Sequence, residues 1–251
     1  MTTSLRWAFQ QTQEYGRTAL IGHLPAGLPT VAGSVRALQV LSQHVDVLEV
    51  GLDDASRITV AEAVETVRAA GVSVPVLLRS RWDPIRIHDP RALAAALAAA
   101  GAAGLVLPDL HPHSRGAGAW LGAAAPHGLS TVFSASDGQV FAAVAASTGF
   151  VRLPVAPEGG PPSSLDLEAT RAHAWMLASL SRSPVCTGGY LRPDQAAEIA
   201  PAVDAIEISV PFIRAVELAP ADPHFSLLEQ CALDYATAIR ARASGRDERA
   251  A

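Results

Sequence analysis

The sequence predicts one α/β domain, a closed (β/α)8 barrel of the TIM type. Three observations predict it: eight short apolar segments recur along the chain, stretches with helical periodicity separate them, and no linker marks a second domain. The length of 251 residues, 49% of them hydrophobic, suits one large core. A doubly wound open sheet is the alternative, but no Gly-x-Gly-x-x-Gly motif follows the first strand.

The predicted strands are short runs rich in Val, Leu and Ile, as is typical of parallel strands buried on both faces. They cover residues 18–21, 45–50, 74–78, 104–107, 130–133, 150–153, 184–187 and 205–208.

The segments between the strands are rich in Ala, which has the highest intrinsic helix propensity. They predict helices over residues 33–43, 60–70, 90–100, 116–127, 139–147, 167–180 and 193–200. A further helix over 223–243 is expected outside the barrel. We therefore expect a single domain over 1–243, with an N-terminal extension and that C-terminal helix, followed by a polar tail over 244–251.

Composition excludes several classes of function. The net charge is −5 and no basic face stands out, which argues against nucleic-acid binding. Gly101 and Gly104 interrupt the Ala-rich region, so no membrane span is expected. The two cysteines, Cys186 and Cys231, lie far apart and resemble buried thiols of a reducing compartment. Because the N-terminus also lacks the apolar core of a signal peptide, we expect a cytoplasmic protein.

Glu49 is the residue that points most directly to chemistry. It ends the apolar run of the second predicted strand, and a buried carboxylate is costly unless it has a use or a partner. In a β/α barrel the carboxyl ends of the strands are where reactive groups gather. Glu49 is therefore either an acid/base group or an acid that caps the next turn or pairs with an arginine.

Several tracts in order resemble the tryptophan synthase alpha chain family over residues 19–216. They are Leu-Pro-Ala-Gly-Leu-Pro-Thr at 24–30, Leu-Glu-Val-Gly at 48–51, Asp-Pro-Ile at 83–85, Gly-Leu-Val-Leu-Pro-Asp-Leu at 104–110, Gly-Phe-Val at 149–151 and Pro-Asp-Gln-Ala-Ala at 193–197. The resemblance implies a barrel that cleaves indole-3-glycerol phosphate to indole and glyceraldehyde 3-phosphate beside a pyridoxal-phosphate-dependent beta chain. The alpha chain itself is expected to hold no cofactor.

The resemblance implies that Glu49 is one of two catalytic carboxylates. The second, an Asp in a long loop after the second strand, has no clear counterpart, because the loop here is shorter by about twenty residues. Asp54 is the weak candidate to replace it. We interpret Asp53 and Asp54 instead as caps of the helix that begins near Val60.

The phosphate site that the resemblance implies is altered. Glycine turns remain at Gly159-Gly160 and Gly188-Gly189, but after the eighth strand Ser209-Val210-Pro211 replaces Gly-Ser-Ala, and Pro211 removes a backbone donor. Two acids, Glu158 and Glu207, would repel a phosphate dianion unless Arg152 or Arg214 compensates. We retain Gly159, Gly160, Gly188, Gly189 and Ser209 as candidate substrate-binding or phosphate-binding residues.

Further candidates lie at other strand ends. His23 is either a general acid or base facing Glu49 or a histidine bonded to a backbone carbonyl. Arg79, Arg81 and Arg152 could bind a carboxylate or pair with Glu49. His111 and His113 form a His-x-His pair that could bind zinc, but a loop rich in Pro and His is more often a plain connection, so no metal site is expected.

The sequence leaves three hypotheses for function. The first is lyase-type acid/base chemistry at Glu49 on an altered small-molecule substrate that bears a carboxylate. The second is a non-catalytic alpha-like subunit that binds and activates a pyridoxal-phosphate-dependent beta-like partner. The third is ordinary indole-3-glycerol phosphate cleavage in tryptophan biosynthesis, against which the missing Asp loop argues.

Overall fold

Eight parallel strands close into a barrel in chain order, with helices between them, which confirms the predicted (β/α)8 fold and excludes the open sheet. The computed structural model describes residues 4–52, 58–136, 138–155 and 165–243. The strands are β1 Ala19–Pro25, β2 Val47–Leu52, β3 Val76–Ser80, β4 Gly104–Leu107, β5 Ser130–Ser134, β6 Val151–Pro154, β7 Val185–Gly189 and β8 Ala205–Ile208.

The helices surround this sheet and include three that the sequence reasoning did not identify, α1, α4 and α10. They are α1 Leu5–Glu14, α2 Val31–Leu41, α3 Val60–Ala70, α4 Trp82–Ile85, α5 Pro90–Ala99, α6 Arg115–Ala124, α7 Val140–Ala146, α8 Leu167–Leu180, α9 Pro193–Ile199, α10 Val210–Leu218 and α11 Ser226–Ala243. Helix α11 packs outside the barrel against α2, α9 and α10.

The N-terminal extension contains a helix that closes one end of the barrel. Ser4 caps α1 by accepting a hydrogen bond from the Trp7 N–H, and the buried side chains of α1 include Leu5, Ala8 and Phe9. These three join the apolar cluster inside the barrel, where the Phe9 ring lies 5.8 Å from the ring of Phe150. The interior at this amino-terminal end is thus packed with apolar side chains.

Helix α3 begins with a capping box that corrects the predicted cap. Thr59 accepts a hydrogen bond from the Glu62 N–H, and the Glu62 carboxylate accepts one from the Thr59 N–H. The N-cap of a helix is a single residue, and the capping box shows that Thr59 takes this position in α3. Thr59 therefore takes the N-cap position that the sequence analysis assigned to Asp53 and Asp54, and both of those residues lie outside the described part of the chain.

Candidate active site

A layer of polar side chains fills the carboxyl-terminal end of the barrel interior. Side chains alternate between the two faces of a strand, so a residue two positions after an inward-facing one also faces inward. The inner apolar cluster contains Ile21, Val47, Leu77, Val132, Phe150, Cys186 and Ala205. The residues two positions further on are His23, Glu49, Arg79, Ser134, Arg152, Gly188 and Glu207.

Glu207 lies between two arginines from distant strands. Its Oε1 accepts a hydrogen bond from Arg79 Nη1 at 2.9 Å, and its Oε2 accepts one from Arg152 Nε at 3.2 Å. Arg152 also contacts Ser134 Oγ through Nη1 at 3.4 Å. Burial raises the pKa of the Glu207 carboxyl, but the charges of Arg79, Arg152 and His23 outweigh burial and hold that pKa at about 2. Glu207 is therefore ionised at neutral pH.

Glu49 is buried beside Glu207 and the two arginines, but its pKa is shifted in the opposite direction. Its side chain has 0% exposure, and its Oε2 lies 3.6 Å from Arg79 Nη1, an ion-pair distance longer than a hydrogen bond. Within the described residues neither carboxylate oxygen has a hydrogen-bond partner. Burial and the negative charge of Glu207 raise the pKa of Glu49 to about 7, against the opposing effect of Arg79 and Arg152. Glu49 is thus poised to give or take a proton near neutrality.

His23 joins the same layer. It is 3% exposed and stands opposite Glu49 in the register of β1 and β2. Its charge contributes to lowering the pKa of Glu207, which places the imidazole within electrostatic range of that carboxylate. The structure therefore brings together four of the predicted site residues, His23, Glu49, Arg79 and Arg152.

Gly188 and Gly189, which the sequence predicted as a turn after the seventh strand, are the last two residues of β7, and Gly189 bonds to Ser209, which precedes α10. The Ser209 N–H donates to the Gly189 carbonyl at 3.2 Å, and the Ser209 hydroxyl donates to the same oxygen at 3.3 Å. A Cβ at Gly188, whose φ is +154°, would lie 2.0 Å from the Glu207 carbonyl oxygen, so close packing of β7 on β8 requires a glycine there. Pro211 lies in the first turn of α10. Gly159 and Gly160, like Asp54 and Glu158, lie outside the described residues.

The remaining candidates, Arg81, His111, His113 and Arg214, have contacts with residues that do not belong to the polar layer. Arg214 is exposed and donates from Nη1 to the Tyr190 hydroxyl at 3.1 Å. Arg81 pairs with Asp109, with 3.4 Å between Nε and Oδ2. His111 Nδ1 accepts a hydrogen bond from the His113 N–H at 3.2 Å. In the part of the chain that the structure describes, no group of three or more His, Cys, Asp or Glu side chains could hold a metal ion.

The role of Glu207 is what the sequence reasoning missed. The sequence predicts that this acid repels a phosphate dianion, whereas the structure shows it as the shared partner of Arg79 and Arg152. The signal was present, because in Ala205-Ile206-Glu207-Ile208 the alternation that turns Ala205 inward also turns Glu207 inward.

A closed parallel barrel with ionisable groups at the carboxyl ends of its strands defines the class of β/α-barrel proteins, whose ligand sites lie at that face. The chain is 33% identical to the tryptophan synthase alpha chain of Streptomyces coelicolor, over 91% of this chain and 93% of that relative. It is 32% identical to the alpha chain of Thermobifida fusca, over 96% and 99%. The chain therefore belongs to the tryptophan synthase alpha chain family, as its sequence tracts predicted.

Solved structures agree with this assignment. A chain of M. tuberculosis tryptophan synthase in its aminoacrylate-bound form superposes with a TM-score of 0.80 at 27% identity, covering 95% of this chain and all of that one. The alpha subunit from Legionella pneumophila gives a TM-score of 0.82 at 19% identity over 94% of this chain and 98% of that one, which shows the fold alone. No family model matches the chain. Within the described residues no helix is long and apolar enough to cross a membrane.

Proposed function

We propose that this chain is a diverged member of its family that carries out carbon–carbon lyase chemistry, with Glu49 as the acid/base group and a carboxylate-bearing small molecule as the substrate. One observation carries the proposal: a fully buried carboxyl with a pKa of about 7 lies 3.6 Å from the guanidinium of Arg79. Both halves of acid/base catalysis, donation and acceptance, are then accessible at neutral pH.

The reaction needs one proton given and one taken. Glu49 in its acid form donates a proton to the carbon that keeps the electron pair of the broken bond, and His23 accepts the proton of the hydroxyl on the other carbon of that bond. The carbon–carbon bond breaks, its electron pair goes to the protonated carbon, and the hydroxyl carbon becomes a carbonyl. His23 and Glu49 are register partners on the adjacent strands β1 and β2, so both lie at the same level of the barrel.

The charge of the layer supports a carboxylate-bearing substrate. The Arg79 side chain is 16% exposed, whereas Glu49 and Glu207 are at most 1% exposed, so of these three side chains Arg79 is the one that a ligand at the mouth can reach. Arginine binds carboxylates through two parallel hydrogen bonds. An uncharged aromatic ring in the same position would remove water from these charged side chains and would not replace the hydrogen bonds that the water makes.

A second function is favoured by one observation, the complete burial of Glu49. A carboxyl sealed by its neighbours suits a non-catalytic subunit that activates a pyridoxal-phosphate-dependent beta-like chain. Complex formation with such a chain that is unchanged in Glu49→Gln would separate this function from catalysis. In either case a cytoplasmic location is part of the proposal, because both cysteines are free thiols.

Binding of matched ligands tests the proposed substrate class. Indole-3-acetate and indole-3-ethanol share a ring and differ in whether the side chain ends in a carboxylate. We expect indole-3-acetate to bind at least about tenfold more tightly, because a charge-assisted hydrogen bond contributes about 1.5–3 kcal/mol. Isothermal titration calorimetry on the full chain measures both affinities.

Two variants test whether Arg79 causes the preference for indole-3-acetate. Arg79→Met should abolish the preference for indole-3-acetate, whereas Arg214→Met removes an exposed arginine that contacts Tyr190 and should leave the preference intact. Circular dichroism verifies that each variant is folded. Equal affinities for the two ligands, or a preference that survives Arg79→Met, would refute a carboxylate-binding role for this mouth.

A further inference from the structure

We propose that the outer face of helix α8 binds the same face of a second copy of this chain, so that two α8 helices pack antiparallel across a two-fold axis near Trp175. This face lies on the outside of the barrel, away from the polar layer in its interior. The dimer is therefore independent of the proposed function, and neither depends on the other.

Helix α8 exposes a cluster of large apolar side chains. Trp175 is 51% exposed, Met176 44% and Leu180 42%, and all three belong to one helix. The opposite side of the helix, which includes Ala174 and Leu177, is buried. Single exposed apolar residues are common on protein surfaces, but a cluster on one helix face indicates an interaction surface.

The charges at the two ends of this face make it complementary to itself. Glu168 lies exposed in the first turn of α8, and the exposed Arg182 comes just after the helix ends. Each stands seven residues from Trp175 in the sequence, and no acidic residue lies between them. The two therefore lie at similar distances, about 10 Å, on either side of Trp175. In an antiparallel pair Glu168 of each copy faces Arg182 of the other, whereas a parallel pair would bring like charges together.

The middle of the face suits contact with its own copy. Ala172 and Ser179 lie three and four residues from Trp175, on the same side of the helix, and their small side chains allow a second helix to approach closely. The Trp175 rings of the two copies meet at the axis, and the Met176 thioether packs well against an aromatic ring. The Arg171 guanidinium already lies 5.4 Å from the centroid of the Trp175 ring, which restrains that ring before association.

The size of the face predicts a weak dimer. Helix α8 has 14 residues, which span about 21 Å. One helix face of this length covers less than the roughly 800 Å² per partner of a standard interface. Helix α7 packs beside α8 and extends the surface with the exposed Phe141. We therefore expect a dissociation constant on the order of 10 to 100 μM.

Sedimentation equilibrium of the full chain measures this association. We expect the mass of wild type to rise from that of one chain toward that of two over about 1–300 μM. Met176→Glu, which puts a charge in the middle of the face, should stay monomeric over the same range. Leu233→Glu adds the same charge at a similarly exposed residue of α11 and should dimerise like wild type. Wild type that is monomeric at every concentration overturns the inference and leaves the face to a different protein, and a dimer that persists in Met176→Glu also overturns it.

Reversal of the two charges tests the antiparallel arrangement. Glu168→Arg and Arg182→Glu each place like charges at both ends of the interface, so each should weaken dimerisation at least about tenfold at low salt. When the two variants are mixed in equal amounts, they should associate with each other, because each charge then meets its opposite in the other chain. A mixture that is as monomeric as its two components overturns the inference. Both changes are at exposed positions, so this test also decides the outcome if Met176→Glu does not fold.

Discussion

Replacing Arg152 by methionine is expected to lower the free energy of unfolding by about 3 kcal/mol, the lower end of the range for removing one partner of a buried ion pair. The change removes the contact from Arg152 Nε to Glu207 Oε2 and the contact to Ser134, and leaves a buried, ionised carboxylate with less compensation. Arg79 still pairs with Glu207, which limits the loss. Urea unfolding followed by circular dichroism measures the change.

A double-mutant cycle separates charge from packing. Adding Glu207→Leu to Arg152→Met should recover only part of this loss, since an apolar pair often replaces a buried ion pair at little cost but Arg79 also loses its contact with Glu207. Arg214→Met, at an exposed arginine, should change stability by less than about 0.5 kcal/mol. Two results would show that the Arg152–Glu207 ion pair does not stabilise this layer. One is a loss of stability in Arg152→Met no larger than in Arg214→Met, and the other is strict additivity of the effects of Arg152→Met and Glu207→Leu.

Replacing Glu49 by glutamine is expected to stabilise the protein above neutral pH. The pKa of Glu49 is about 7 in the folded chain against an ordinary value of 4.5, so between these values the folded state binds more protons than the unfolded state. The free energy of unfolding therefore falls as pH rises through this interval. This pKa shift corresponds to about 3 kcal/mol of the free energy of unfolding, which wild type loses once Glu49 ionises above pH 7. The Glu49→Gln variant does not lose it, because glutamine has no charge.

The stability difference between wild type and Glu49→Gln should depend on pH. Wild type and Glu49→Gln should have similar stability near pH 4.5, and the variant should be more stable by about 3 kcal/mol at pH 8. Glu217→Gln controls for the loss of a carboxylate at the surface. A difference between wild type and Glu49→Gln that is constant from pH 4.5 to pH 8 would show that Glu49 ionises like an ordinary glutamate. A functional carboxyl that costs stability is common at active sites.

Much of the fold could be predicted from the sequence because local patterns determine it. The predicted strands at 104–107 and 205–208 coincide with β4 and β8, where apolar runs are bounded by clear turns. Helix α1 was missed although its buried residues, Leu5, Ala8, Phe9 and Thr12, follow helical spacing. Its polar flanks obscured that pattern, and its role depends on the open end of the barrel, which only the closed sheet creates.

The candidate site could be predicted only in part. Alternation along a strand indicates that Glu49 and Arg79 face the interior, and the position of each at a strand end predicts a place near the mouth. No local pattern indicates that Arg79 and Arg152 share Glu207, because these contacts span 128 and 55 residues of sequence. The pKa values of Glu49 and Glu207 diverge for the same reason: burial acts on both, but the two arginines are arranged around Glu207.

Turnover of indole-3-glycerol phosphate tests the central claim, an altered substrate, most directly. Indole release would be measured for wild type and Glu49→Gln, with the alpha chain of Streptomyces coelicolor, 33% identical to this chain, as the positive control. We expect release by the control and by neither form of this chain, because Glu207 opposes the phosphate and charged side chains fill the barrel's carboxyl-terminal interior. Release by wild type that disappears in Glu49→Gln would show that the ordinary family reaction is retained and would contradict the account.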